Sequence, residues 1–369
     1  MDETISLPAM QVASDFHISI DGQHFRNIVQ EQVGQEVASF IFSYLGTIHS
    51  QRNLVVATST RFNILNHIPG SSDNLINLKR INDVRYLNKF FEAINAFLPV
   101  GGIYINSVQT YDIRKQRILK KYPPILNWFL YSLDVLFRRV FPKMPVTKKI
   151  YFALTQGHNR VLSKAETFGR LYSCGFEVEC EKLVGSELYF VARKTREPYF
   201  DTNPTYGLLI KLRRIGKNGK MFGVYKARTM HPYAEYLQEY VYKKNSLAEG
   251  GKFKDDFRVT TSGKFMRKFW LDELPMLINV MRGQMKIVGV RPLSRHYLSL
   301  YPEEARQRRS QYRPGLIPPF YVDMPKTLDE IVASELRYLD AYDKNPIITD
   351  FSYLFKALYN ILINRARSN

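Results

Sequence analysis

Three stretches of the sequence gather residue types that bind or attack phosphate. Lys211–Met230 (KLRRIGKNGKMFGVYKARTM) holds seven cations and no acid between Lys211 and Arg228, with Gly216, Gly219 and Gly223 available for tight turns. Strand formers flank Gly216-Lys-Asn-Gly, so the segment reads as a basic hairpin facing either phosphate or water. On charge alone, the solvated hairpin is the commoner case. Arg258–Pro275 (RVTTSGKFMRKFWLDELP) sets Asp272 and Glu273 among Arg258, Lys264, Arg267 and Lys268. Pro275 breaks a helix interior but suits a first turn. A helix is therefore expected to open over Leu271–Glu273 and run through Leu274, Leu277, Ile278 and Met281 to Gly283. Both carboxylates would then face the positive end of a helix dipole, where anions are held, although acidic first-turn residues are also ordinary helix openers. Lastly, Val288-Gly-Val-Arg-Pro and Arg313-Pro-Gly offer Arg291 as a clamp for an oxyanion or a phosphate, since guanidinium binds phosphate bidentately.

The elements that must position these groups come from a chain of 369 residues, long enough for two domains. With 45% hydrophobic, 24% charged and 14% aromatic residues, it can bury a core, which excludes large-scale disorder. The net charge of +19 points to phosphates, nucleic acid or an anionic membrane surface. Residues 199–369 carry 29 basic and 17 acidic side chains, and residues 1–198 carry 24 and 17, so the excess is denser in the second half. Cys174 and Cys180 have neither metal-ligand nor disulfide-framework spacing, which suggests a reduced, cytosol-facing protein. The acidic start MDETISLPAM is unlike a signal peptide, and no apolar run is long enough for a spanning helix.

The first half alternates strand-like runs at Asn53–Ala57, Asn74–Leu78, Gly102–Ser107 and Glu187–Ala192 with helical patterns. One such pattern covers Asp83–Leu98, and another opens at the capping box Ser163–Glu166 and ends before Gly175. This alternation suggests an α/β fold. Its strand, helix, Pro-Val-Gly-Gly, strand order is similar to part of a class I methyltransferase. No glycine-rich cofactor loop follows the early strand, so a degenerate Rossmann-like domain without methyl transfer is expected over 1–198. Within it, Ile125–Val140 has one polar stripe (Asn127, Tyr131, Asp134, Arg138) and is otherwise apolar, with cations on both flanks. Residues 124–141 are expected either to lie in a membrane interface or to pack as a core helix. The Pro-rich Arg196–Gly207 stretch marks the boundary to a second domain, 199–369.

Taken together, the motifs from about Gly207 to Tyr342 resemble the bacterial sugar transferases, the monotopic phosphoglycosyl transferases. In order, they are Arg214-Ile-Gly-Lys-Asn-Gly-Lys, Tyr225-Lys-Ala-Arg-Thr-Met, Asp256-Phe-Arg-Val-Thr, Gly263-Lys-Phe-Met-Arg, Leu271-Asp-Glu-Leu-Pro, Asn279-Val-Met-Arg-Gly-Gln-Met, Val288-Gly-Val-Arg-Pro and Arg313-Pro-Gly. The resemblance implies a small α+β domain that moves a sugar 1-phosphate from a UDP-sugar to a polyprenyl phosphate, such as undecaprenyl phosphate, and releases UMP. It implies Asp272 as the nucleophile that forms a phosphosugar ester, with Glu273 helping to place Mg²⁺ or the acceptor phosphate, so that both carboxylates are metal-site residues. Arg267 and Arg291 fall on arginines near the phosphates, while Lys226, Arg228, Arg258 and Arg313 match other basic motif positions. The implied location is the cytoplasmic face of the bacterial inner membrane, at the start of surface-glycan assembly.

The sequence departs from the family pattern in several places. Met276 and Val290 replace a common Gln and Pro, and Leu316-Ile317-Pro318-Pro319 replaces Ile-Thr-Gly. Residues 196–212 are too polar for the membrane-dipping helix that the family carries before the hairpin, so either Ile125–Val140 anchors the protein or it only visits the membrane. A nucleic-acid-binding protein and an inactive membrane-docking scaffold are the alternatives. Against the first, acids set among the basic clusters repel a nucleic-acid backbone.

Overall fold

The computed structural model describes residues 22–45, 52–200, 207–244 and 256–363. The acidic start and part of the expected domain junction, 201–206, lie outside the described residues. The chain divides into two compact units, Met1–Pro204 with Glu235–Leu237, and Thr205–Ala234 with Gln238–Asn369.

The first unit runs α1 (Gly22–Val33), α2 (Gln35–Leu45), β1 (Asn53–Val56), α3 (Arg61–Leu65), β2 (Asn74–Asn77), α4 (Leu87–Phe97), β3 (Ile103–Val108) and α5 (Tyr111–Lys121). It continues through α6 (Leu126–Val135), α7 (Pro145–Thr155), α8 (Lys164–Ser173), β4 (Phe176–Val184) and β5 (Glu187–Lys194). The five strands are ordered β1-β2-β3-β5-β4, with β1, β2 and β3 parallel, β5 antiparallel to β3, and β4 antiparallel to β5. The class is mixed α/β, as the alternation of elements required. Strand alternation sends Ile103 and Ile105 to one face, against Val37, Phe40 and Ile41 of α2. Tyr104 points the other way, into a ring cluster where it meets Phe91 and Phe190 edge-to-face and Phe176 at a tilt.

Two local expectations change. The helix expected from Asp83 starts at Leu87, because Ile81–Asp83 form a 3₁₀ turn and Val84 is extended. Strand β4 was not legible, because a bulge between Val178 and Cys180 breaks its period of two. Ser163 caps α8 as expected, its hydroxyl accepting the Glu166 N–H, and Gly175 follows the helix with φ of 86°. Both cysteines are free thiols.

The Ile125–Val140 segment folds as α6 followed by a π turn, Leu136–Val140. Its polar stripe faces inward. Asn127 is buried and donates to the Leu119 carbonyl, while Asp134 takes both guanidinium nitrogens of Arg114 on α5 at 2.7 and 2.8 Å. Trp128, Phe129 and Leu133 are exposed, so a core helix burying its apolar face is not what forms. Among the described residues, no helix is long and apolar enough to cross a membrane.

The second unit opens on the expected hairpin, β6 (Leu209–Ile215) and β7 (Met221–Ala227), closed by a turn with Asn218 and Gly219 at positive φ. Then come α9 (Gln238–Lys244), α10 (Thr261–Lys268), α11 (Leu277–Met281), β8 (Lys286–Val288), α12 (Arg295–Ser299) and α13 (Glu303–Ser310). It ends with β9 (Gly315–Ile317), α14 (Phe320–Asp323), α15 (Leu328–Lys344) and α16 (Pro346–Leu362). Strands β8 and β9 pair in parallel. A Cβ on Gly315 would collide with the backbone of Gly289, and one on Gly289 would sit 2.9 Å from the Gly315 nitrogen. The crossing therefore needs glycine on both sides. Val224, Met276, Leu316, Ile317, Tyr321, Ala357 and Ile361 form the core joining hairpin, strand and α16.

Candidate active site

In an antiparallel hairpin, alternate residues share a face. The register pairs Ile210 with Lys226, Leu212 with Val224 and Arg214 with Phe222, so Arg214 and Lys226 stand on the same side as the apolar Leu212 and Val224. That side walls a cavity whose remaining lining includes Glu273, Met276, Arg291, Pro292, Leu316, Pro318, Phe320 and Tyr321. Lys211, Arg213, Lys217 and Lys220 remain exposed. The hairpin is thus solvated on one side and turned towards a cavity on the other.

The carboxylate pair is placed by a chain reversal. α10 ends at Lys268, capped by Phe269, and Trp270 takes a left-handed conformation with φ of 59°. Its indole N–H donates 3.0 Å to the Tyr321 hydroxyl, which anchors the reversal in the core. Asp272 and Glu273 follow in the turn. The regular helix comes later than expected, with a 3₁₀ turn at Leu274–Met276 holding Pro275 at its start and only five α-helical residues behind it. The dipole of so short a helix, one turn removed, is a minor influence on either carboxylate. Nearby cations dominate instead.

Glu273 is 6% exposed and its carboxylate accepts from Lys226 Nζ at 2.7 Å. The Asp272 carbonyl accepts the Ala227 N–H at 2.9 Å, which ties the turn to the end of β7. Asn279, fully buried, clamps α11 to the same strand by accepting from Tyr225 N–H and donating to the Gly223 carbonyl. Asp272 itself is half-buried. Around the pair, Phe265, Phe269, Leu271, Leu274, Leu277 and Met281 expose apolar surface.

Two guanidinium groups meet at the cavity. Burial lowers the Arg214 pKa, and the neighbouring Arg291 charge lowers it further. Arg291 is held by its backbone. Its N–H donates to Glu335 on α15, and its carbonyl accepts from Arg309, which also pairs with Glu335 at 3.3 Å. Burial raises the Glu335 carboxyl above its ordinary value, against the opposing pull of Arg309. Burial likewise raises the Tyr321 hydroxyl, and the negative charges of Glu273 and Asp272 add to it.

The other residues expected in the site lie differently. The Arg267 guanidinium donates to the Thr229 hydroxyl at 3.0 Å, and α10 approaches Thr229 so closely that a Cβ on Gly263 would collide with its carbonyl. Arg258 is buried in an ion pair with Asp256 and donates to Gln238, so it is a structural cation of its own loop rather than a cavity residue. Arg228 donates to the Gly207 carbonyl. Arg313 is exposed and precedes β9. Of the eight residues singled out, Lys226, Glu273 and Arg291 line the cavity, and Asp272 adjoins it through Glu273. Arg214, Arg309 and Glu335 were missed. Strand alternation with Leu212 was a signal for Arg214, whereas nothing local marks the other two.

Among the described residues, no group of three or more His, Cys, Asp or Glu is arranged as a metal cage. A divalent ion such as Mg²⁺ needs only one or two carboxylates when phosphates and waters complete its shell. The adjacent Asp272 and Glu273 fit that donor set. Three cations against one carboxylate in the lining suit a ligand with several negative charges.

A profile of the bacterial sugar transferase family matches residues 201–364. The exopolysaccharide production protein ExoY of Sinorhizobium fredii is 34% identical over 159 residues, covering 42% of this chain and 69% of that protein. The galactosyl transferase CpsE of Streptococcus agalactiae is 32% identical over 155 residues, covering 41% of this chain but only 33% of its own length. The undecaprenyl-phosphate galactose phosphotransferase of Salmonella typhimurium is 36% identical over 96 residues, 25% of this chain and 20% of that protein. The matched segment carries the hairpin, the carboxylate turn and the arginine loop, and the chain belongs to the bacterial sugar transferase family.

Proposed function

We propose that the second unit transfers a sugar 1-phosphate from a UDP-sugar to a polyprenyl phosphate. The observation that carries this reading is the convergence of Arg214, Lys226 and Arg291 on one cavity beside the Asp272–Glu273 turn. A diphosphate repels an approaching carboxylate, and these cations offset that repulsion. Asp272 attacks the β-phosphorus of the donor. An aspartyl oxygen–phosphorus bond forms, the bond to the bridging oxygen breaks, and UMP leaves with that oxygen. An oxygen of the polyprenyl phosphate then attacks the same phosphorus and releases Asp272. Bound Mg²⁺ would supply further charge neutralisation at the diphosphate, held by Asp272 and Glu273. Arg291, fixed through its backbone by Glu335 and Arg309, is suited to orient the donor phosphates.

The exposed apolar residues around the carboxylates suit a lipid acceptor. A water-soluble donor and a lipid acceptor put the reaction at a membrane surface, on this reading the cytoplasmic face of the bacterial inner membrane, early in surface-glycan assembly. We further read the first unit as a degenerate Rossmann-like layer without methyl transfer. Among the described residues its parallel strands run β1-β2-β3 with no reversal of order, and a reversal is where such sheets open a ligand crevice.

The test is UMP release from a panel of UDP-sugars with polyprenyl phosphate, followed by trapping without acceptor. One UMP per enzyme, with the sugar label on the peptide containing Leu271–Pro275, is expected. Label on any other peptide would refute Asp272 as the nucleophile, and turnover with no label would indicate direct transfer.

A further inference from the structure

We propose that α6 and α7 of the first unit form a docking platform for an anionic lipid bilayer. Soluble amphipathic helices turn their apolar stripe to the core. Here both helices do the reverse. On α6 the inward groups are Asn127 and Asp134, bonded to the Leu119 carbonyl and to Arg114, and Arg138 in the π turn that follows donates to the Asn159 carbonyl. Trp128 and Phe129 point outward, at 53% and 60% exposure. On α7, Tyr151 is buried against Phe137, whereas Val146, Ile150 and Leu154 form an outward stripe at spacings of four, Val146 being 74% exposed.

The second helix was not part of the sequence expectation. It adds a second outward apolar stripe, and the Tyr151–Phe137 ring contact ties its helix to the π turn that continues α6. The polar stripe of α6 is held in ion pairs, so turning its apolar face inward would break the Asp134–Arg114 bridge. The arrangement is therefore fixed by the fold.

Charge identifies the occupant. Between Tyr111 and Thr155 there are ten lysines and arginines against two aspartates, Asp112 and Asp134. Asp134 is already paired with Arg114 and Arg138. Arg117, Lys120, Lys121, Lys148 and Lys149 are exposed. Outward aromatic and aliphatic side chains rimmed by cations match a bilayer rich in anionic headgroups, which takes the apolar groups below its phosphates and the cations at them. A protein partner would need no such one-sided charge. This inference does not depend on the transfer reaction, since lipid binding is measured without donor or acceptor.

The experiment is sedimentation of the full chain with vesicles of phosphatidylglycerol in phosphatidylcholine, compared with phosphatidylcholine alone. Binding is expected to the anionic vesicles and to weaken with salt. The triple variants Trp128→Ser/Phe129→Ser/Leu133→Ser and Val146→Ser/Ile150→Ser/Leu154→Ser are each expected to lower the partition coefficient by about tenfold or more. Unchanged partition by folded triple variants would overturn the proposal and leave another surface, such as the exposed Phe351 and Phe355 of α16, as the contact. If the triple variants fail to fold, quenching by brominated lipid decides. Wild type is expected to lose fluorescence on bromo-lipid vesicles, and Trp128→Phe to lose less. Equal quenching in both would overturn the proposal, as would self-association through this face without any vesicle binding.

Discussion

Both units gather polar side chains where their strands end, and they treat them in opposite ways. In the first unit the groups satisfy one another. Asn77 accepts from the Thr58 N–H and donates to the Thr58 carbonyl, Asn82 does the same with Gln109, and the Asn106 amide donates to Tyr104. In the second, Arg214, Lys226 and Arg291 crowd a cavity with only Glu273 among them. A closed hydrogen-bond set is complete without a ligand, whereas a surplus of like charge is relieved by one. The contrast separates a self-satisfied scaffold from a charge-rich cavity more sharply than either fold does.

The largest effect that could break this comparison is at Asp272, the nucleophile of the proposed transfer. Asp272→Asn keeps the side-chain shape and removes the anionic oxygen. Turnover is expected to fall by at least about a thousandfold, with thermal unfolding unchanged. Full activity would remove the second unit's cavity from the chemistry.

A matched pair of substitutions tests the contrast directly. Asn77→Ala leaves Thr58 backbone groups buried without partners and is expected to cost about 2 kcal/mol in denaturant unfolding. Arg214→Met removes a desolvated charge facing Arg291, so stability should hold or rise while the donor KM increases. Equal destabilisation by both would mean that the cavity cations are structural.

Glu335→Gln probes the support behind Arg291. It replaces a carboxylate whose ionised form burial disfavours, so stability at neutral pH should hold or rise. The loss of the Arg309 partner should loosen the Arg291 loop and raise the donor KM. The pH dependence has a definite sign. The folded carboxyl titrates above its ordinary value, so the folded chain binds more protons than the unfolded one between those two values. The contribution of this group is greatest below the ordinary carboxylate range and is lost as pH rises through the raised value. The Gln variant should lack that slope.

The smallest effect concerns thiol reactivity in the first unit. Burial pushes the Cys174 thiol up to about 12, so alkylation of the native chain at mildly alkaline pH should label the partly exposed Cys180 and spare Cys174. Mass spectrometry of the two cysteine peptides reads the result.

Much of the second unit was legible because its elements are marked locally. The glycine-bearing turn of the β6–β7 hairpin and the Asp-Glu-Leu-Pro turn both lie within short stretches of sequence. The start of the helix after that turn was misread because Pro275 fits a 3₁₀ turn as well as an α-helical one, and the left-handed Trp270 gave no local sign. Arg309 and Glu335 act through residues far away in sequence, so no spacing announces them. In the first unit, the periodicity of Ile125–Val140 identified a stripe without saying which side faces inward. The partner that settles it, Arg114, is on another helix.

The glycine crossing of β8 and β9 bears on how the second unit comes to be. Lys286 must find Gly315 across the whole excursion of α12 and α13, and the two strands offer only three residues each, with their closest approach at the side-chain-free Gly289 and Gly315. Closing a long loop for so little immediate gain is slow and belongs late in folding. The β6–β7 hairpin, by contrast, closes over a short turn. A chain emerging from the ribosome should therefore hold its hairpin arginine before the loop carrying the second arginine has a wall to rest on, and the cavity is complete only as the last strand docks.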